Sequence, residues 1–86
     1  SYGQNRRVLF ARALVREPDI LLLDEPYAGL DARTRVALRS LVERAIASGV
    51  TVIMTTHHAD ERPALATHEL ELERARAIYC GSIRRP

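Results

Sequence analysis

Four consecutive aliphatic residues, Ile20-Leu21-Leu22-Leu23, stop abruptly at Asp24-Glu25-Pro26, and this boundary constrains the fold more than any other feature. A continuous apolar run between turn signals reads as a strand buried on both faces, as in a parallel sheet. A second, β-branched run from Val50 to Thr56 ends in Thr55-Thr56-His57-His58. Between the two runs lies a helical segment of about residues 32–48, with Asp31 as its N-cap and Gly49 as its stop. Leu38, Leu41, Val42 and Ala45 form its apolar stripe. Strand, helix and strand in this order predict parallel pairing through a right-handed crossover.

The flanks fit around that unit. Residues from about Gln4 to Glu17 read as a helix, because Phe10, Ala13 and Leu14 recur at i, i+3 and i+4. Ala11 and Val15 widen the stripe, and Pro18 ends the helix by pushing its predecessor out of the α region. A short helical piece near residues 59–65 leads to two weaker strands, roughly His68 to Glu73 and Ala77 to Tyr79. Leu70 and Leu72 alternate with Glu69, Glu71 and Glu73, the pattern of an edge strand with one charged face. The fold class expected is α/β with a parallel sheet core, and no repeat or linker divides the residues.

Composition enters mainly through what it excludes. The 86 residues allow one small domain or a piece of a larger one. With 47% apolar and 28% charged residues, the chain reads as globular. Net charge is +2 and the arginines are dispersed, so no basic stripe points to nucleic acid. All 13 basic residues are arginine, which excludes Schiff-base chemistry and the phosphate lysine of a P-loop from these residues. Cys80 is the single cysteine and cannot form an internal disulfide, which points to a reducing compartment. A start at Ser1, with no basic segment leading into an apolar one, predicts no signal peptide and reads as cut from a longer chain.

In open α/β sheets, ligands gather beyond the carboxyl ends of the strands. Asp24-Glu25 and His57 both fall at such ends and should face one crevice. An aspartate there can hold Mg²⁺, directly or through water, beside bound phosphates. A glutamate next to it can orient or deprotonate an attacking water. The same pair also serves simply to lead a strand into a solvated turn. His57 could donate to a transferring phosphoryl group, or could only face solvent. Ser1 and Gly3 precede a helix whose first amides favour an anion, and an ordinary cap looks the same. His57, His58, Asp60 and Glu61 match no zinc spacing, so no dedicated metal cluster is expected there.

In order, the chain reads Ser1-Tyr2-Gly3-Gln4 with Arg6-Arg7, Ile20 through Pro26, Ala28-Gly29-Leu30-Asp31, and Thr56-His57. This series strongly resembles the ATP-binding-cassette (ABC) ATPases from their signature loop onward, over the first two-thirds of the chain. The resemblance implies the C-terminal half of a RecA-like P-loop nucleoside triphosphatase, with residues 1–86 a partial ABC domain whose P-loop half lies upstream. It implies that Ser1, Tyr2, Gly3 and Gln4 form the loop that reaches the γ-phosphate of ATP held by a partner cassette. Asp24 would support Mg²⁺, Glu25 would act on the attacking water, and His57 would contact the γ-phosphate. Asp31 would close the loop running along the dimer interface. The family has glycine where this chain has Tyr2, and tyrosine takes positive φ only at a cost, so the loop must accept a side chain there.

Ser1 to Gln4, His57 to Glu61 and Thr67 to Glu71 together resemble the molybdate-transport-associated ModF type, and the second of its two cassettes. The implied activity is ATP hydrolysis in a transporter, with ATP and Mg²⁺ bound. The implied partners are a second nucleotide-binding domain and a membrane permease subunit. The implied location is cytoplasmic, at the inner face of the cell membrane, and no direct nucleic-acid partner is implied. Two other classes stay open: a soluble cassette switching on ribosomes or DNA, and an inactive remnant serving as an interaction module. By themselves these residues should lack a nucleotide pocket, hydrolyse nothing, leave a half-sheet uncovered and be marginally stable.

Overall fold

The computed structural model describes residues 2–84, with side chains from Asn5 to Arg84. Helix α1 spans Tyr2–Val15, strand β1 Ile20–Asp24, helix α2 Ala32–Ala47 and strand β2 Thr51–Thr55. A 3₁₀ turn at Ala59–Glu61 leads to β3, His68–Glu73, and β4, Arg76–Ser82. Helix α1 begins earlier than the apolar periodicity indicates, so Tyr2, Gly3 and Gln4 form its first turn rather than a loop ahead of it. It also stops earlier. Glu17 takes the left-handed conformation at φ 50, and its N–H donates to the Leu14 carbonyl at 2.9 Å. That geometry closes the helix just ahead of Pro18.

Both ends of α2 are built as its sequence suggests. The Asp31 carboxylate accepts from the Thr34 N–H at 2.7 Å, the usual N-cap bond. At the other end Gly49 and Val50 donate to the Ile46 and Ala45 carbonyls, each at 3.1 Å, a Schellman closure. Gly49 sits at φ +101, which a residue with a Cβ rarely adopts.

Strands β1 and β2 pair in parallel, from Ile20 opposite Thr51 to Asp24 opposite Thr55. The core joins Phe10 of α1, Leu21 of β1, Tyr27 and Leu30 of the following turn, and Leu38, Val42 and Ala45 of α2. Leu23, Leu41, Val52 and Met54 pack against it. The helices therefore cover one face of the sheet. The other face is open: Ile20, Leu22 and Ile53 stand exposed in a row, Leu22 at 71%. The expectation of burial on both faces is corrected here, because a two-stranded sheet has only one helical layer against it. Helix α1 shows the same one-sidedness, with Ala11 exposed and Val15 exposed by 81% rather than widening a buried stripe.

The chain after β2 follows a different plan. The helical piece expected near residues 59–65 is a single turn, because Arg62 turns extended ahead of Pro63. Strands β3 and β4 form a separate antiparallel hairpin with a bulge after Glu71. Arg74 and Ala75 join them with φ of 51 and 64, the type I′ geometry usually given to Asn-Gly. The charged face of β3 is held by arginines: Arg84 reaches Glu69 and Glu71 at 2.6 Å each, and Arg62 reaches Glu69 at 3.0 Å. The hydrogen bond from Arg84 holds the Glu69 carboxyl below its ordinary range. Arg84 also stacks over the Tyr79 ring at 3.7 Å.

Candidate functional site

Asp24 is the last residue of β1, and the chain turns sharply after it. Glu25 adopts φ 47, left-handed and unusual for a residue with a side chain. Its N–H is held twice by the neighbouring strand, at 3.2 Å to the Thr55 carbonyl and 2.9 Å to the Thr55 Oγ1. The same hydroxyl donates to Asp24 Oδ1 at 2.5 Å. Two residues further on, His57 places Nε2 at 3.1 Å from Glu25 Oε1. The His57 side chain is 88% exposed, so this contact orients the carboxylate more than it stabilises the fold. Asp24, Glu25 and His57, chosen from sequence as the chemical residues, thus come together at the carboxyl end of the sheet. Residues 30 or more apart in the chain meet because the parallel register brings Asp24 opposite Thr55.

The segment carrying His57 is tied down just beyond it. Thr56 Oγ1 donates to Glu61 Oε1 at 2.5 Å and accepts from the His58 N–H at 3.0 Å. Glu61 is buried, exposed by only 5%. From α2, Arg39 donates to the Asp60 and Arg62 carbonyls at 2.7 and 3.0 Å, and Glu43 accepts from the Ala64 N–H at 2.6 Å. The His57 imidazole is exposed, while the backbone that follows it is anchored to α2. Under this clamp lies Tyr27, whose buried hydroxyl lacks a hydrogen-bond partner among the described residues. Burial raises its pKa above the usual 10.0.

The remaining sequence-chosen residues stand apart from this group. Ser1 lies outside the described residues, and Tyr2, Gly3 and Gln4 are described only as backbone in the first turn of α1. The Asp31 carboxylate is engaged by its own helix, and the Thr34 backbone N–H lowers its pKa from the ordinary 3.8. No hydrogen bond or ion pair joins it to Asp24, Glu25 or His57. Cys80 is exposed and unpaired. Sequence reasoning missed Thr55 as the residue that bonds both the Asp24 carboxylate and the Glu25 backbone N–H. Its role shows only in the strand register, which sets the hydroxyl opposite Asp24 on the same face of the sheet.

Two shallow hollows line the opposite, amino end of the strands, around Glu17 to Ile20 and Ser48 to Val50, and hold none of the candidate residues. No three His, Cys, Asp or Glu side chains among the described residues gather into a metal cage. Asp24 and Glu25 instead offer a few hard oxygen donors. That suits Mg²⁺, which keeps several waters and takes its remaining ligands from phosphates.

An acidic pair closes a parallel strand and meets a histidine that follows the next strand across a helical crossover, at the strand ends where ligands of open α/β sheets gather. Residues 1–60 match the family described as "AAA domain, putative AbiEii toxin, Type IV TA system", and the chain belongs to this family. Among curated relatives it is 49% identical over 73 residues to the aliphatic sulfonates import ATP-binding protein SsuB 1 of Rhodococcus jostii, covering 84% of the chain and 30% of that protein. It is 42% identical over 80 residues to the ABC transporter ATP-binding protein ModF of Escherichia coli, covering 92% and 16%. It is 43% identical over 82 residues to the energy-coupling factor transporter ATP-binding protein EcfA2 of Lactococcus lactis, covering 95% and 28%. The chain spans less than a third of the length of each of these three relatives and is a portion of an ABC-type ATPase.

Proposed function

We propose that these residues supply the hydrolytic half of an ATP site in a transport ATPase. The observation that carries this reading is the meeting of Glu25 and His57 at 3.1 Å directly after Asp24, at the strand ends where phosphates bind. Asp24 would hold Mg²⁺ or its water shell, and the ion would neutralise charge on the β- and γ-phosphates. Glu25 orients the attacking water and takes up its proton, its carboxylate steadied from one side by His57 Nε2. His57, exposed on an anchored backbone, is placed to turn from Glu25 to a γ-phosphate oxygen when one arrives.

The first turn of α1 presents backbone N–H groups that suit a phosphate held by another cassette, which supports a role in that contact for Ser1, Tyr2, Gly3 and Gln4. Asp31, exposed at the head of α2, fits a place along the same interface. The partners proposed are a second nucleotide-binding domain and a membrane permease, with the ATPase on the cytoplasmic side. The narrower reading, a molybdate-associated subunit of the ModF type, draws support from the 42% identity to ModF. Relatives named for sulfonate import and energy-coupling factor transport lie in the same range. Growth of a deletion strain on limiting molybdate, against limiting sulfonate, separates these substrates.

The central test is Glu25→Gln in the complete protein that carries these residues. Hydrolysis is expected to vanish while ATP still binds and the dimer is trapped closed, and His57→Ala should act in the same direction. Unchanged turnover in Glu25→Gln overturns the role given to this carboxylate.

A further inference from the structure

We propose that Thr55 is a positioning residue for hydrolysis, setting both carboxylates of the site through one hydroxyl; this rests on the ATPase reading above. A threonine hydroxyl has one proton to give and lone pairs to receive. Here the proton goes to Asp24 Oδ1 at 2.5 Å and a lone pair takes the Glu25 N–H at 2.9 Å. The two acidic residues are thereby fixed relative to each other by a side chain from a different strand.

Each bond has a distinct consequence. With Oδ1 engaged, the Asp24 carboxylate cannot rotate freely, and its second oxygen is the one left for water or a cation. The bond to Glu25 acts on the backbone. A residue with a Cβ at φ 47 persists only where its surroundings hold it. The Thr55 carbonyl alone offers a 3.2 Å contact, and the hydroxyl adds the shorter one. That conformation sends the Glu25 side chain toward His57 rather than along the strand. The register makes the arrangement specific. Thr55 is the cross-strand partner of Asp24, so both side chains rise from the same face of the sheet.

Thr55→Val keeps the shape and the β-branching but removes both bonds, whereas Thr55→Ser keeps the hydroxyl. In the complete protein, Thr55→Val is expected to lower kcat about 10- to 100-fold, the size of one hydrogen bond to an ionised group. KM for ATP should stay within about twofold, since nucleotide binding does not use this hydroxyl. Thr55→Ser should restore most of the rate. A second readout is independent of turnover: amide exchange at the Glu25 N–H should speed up in Thr55→Val and stay slow in Thr55→Ser. If Thr55→Val fails to fold, Thr55→Ala read against Thr55→Ser carries the same comparison.

Wild-type kcat and unchanged Glu25 exchange in Thr55→Val overturn the proposal, as does equal loss of rate in the serine and valine variants. Glu25→Gln separates the two levels. If it abolishes hydrolysis while Thr55→Val is silent, the ATPase reading stands and the positioning role falls. If it leaves hydrolysis intact, the role given to the Glu25 carboxylate falls and the exchange rates alone decide whether Thr55 holds Glu25.

Discussion

Leu22→Ala tests whether the open face of the β1–β2 sheet is an interior surface of a larger domain. Leu22 is 71% exposed beside Ile53 on that face. Fully burying a leucine contributes about 1.5–3 kcal/mol, so the small covered part of Leu22 accounts for roughly 0.5–1 kcal/mol. If the remainder of the domain lies over this face, Leu22 is a core residue and its truncation costs about 2–5 kcal/mol. The larger loss is expected in the complete protein. Leu38→Ala is the reference, because Leu38 is buried within the residues described here and should cost about 2–5 kcal/mol whatever covers the sheet. Urea unfolding of the three proteins, compared at equal m-values, gives both differences directly. A loss below about 1 kcal/mol for Leu22→Ala beside a full loss for Leu38→Ala would refute the reasoning. The row of Ile20, Leu22 and Ile53 would then face water in the native protein.

Tyr27→Phe should leave stability unchanged or raise it by up to about 1 kcal/mol, since it removes a buried hydroxyl that has no partner among the described residues. A loss of about that size in the same unfolding assay would show that the hydroxyl is bonded in the complete protein. Asp31→Ala should lower the melting temperature at neutral pH, whereas Asp31→Asn, also a good cap, should stay close to wild type. The Asp31 pKa is lowered in the folded state, so its contribution is present above the ordinary 3.8 and is lost as pH falls through the folded value. The acid limb of the stability curve should therefore be shallower in Asp31→Asn, and an unaltered limb would remove Asp31 from the account. Glu25→Gln and Thr55→Val, described above, address the chemistry.

Much of the site was legible because it sits at the ends of strongly patterned elements. The boundary at Leu23-Asp24 and the histidine after the second β-branched run put the acidic pair and His57 at one edge of the sheet. Three other features depend on what is not local. Whether Leu22 is buried depends on a second layer over the sheet, and an apolar run looks the same with one layer or two. The Thr55 hydroxyl matters only once β1 and β2 are aligned residue by residue, which periodicity does not specify. The Glu61 carboxyl is buried because Thr56 and the clamp from α2 fold over it, which no local pattern announces. The turn at Arg74-Ala75 carries none of the Asn-Gly signal that usually marks type I′ geometry, so the hairpin was legible only as two strands.

The parallel alignment of β1 with β2 also acts as a ruler. Shifting β2 by one residue would set Met54 opposite Asp24 and turn the Thr55 hydroxyl to the helix-covered side. The length of chain between Thr51 and His57 is therefore fixed by chemistry, whereas the connection through Ser48, Gly49 and Val50 lies at the far end of the strands. Inserting a residue there would disturb the closure of α2 at Gly49 and Val50 but leave the carboxyl-end site in register, while inserting one after Val52 would uncouple the histidine from the glutamate without removing either. The two ends of one sheet thus carry different demands, a helix cap at one and the alignment of three side chains at the other.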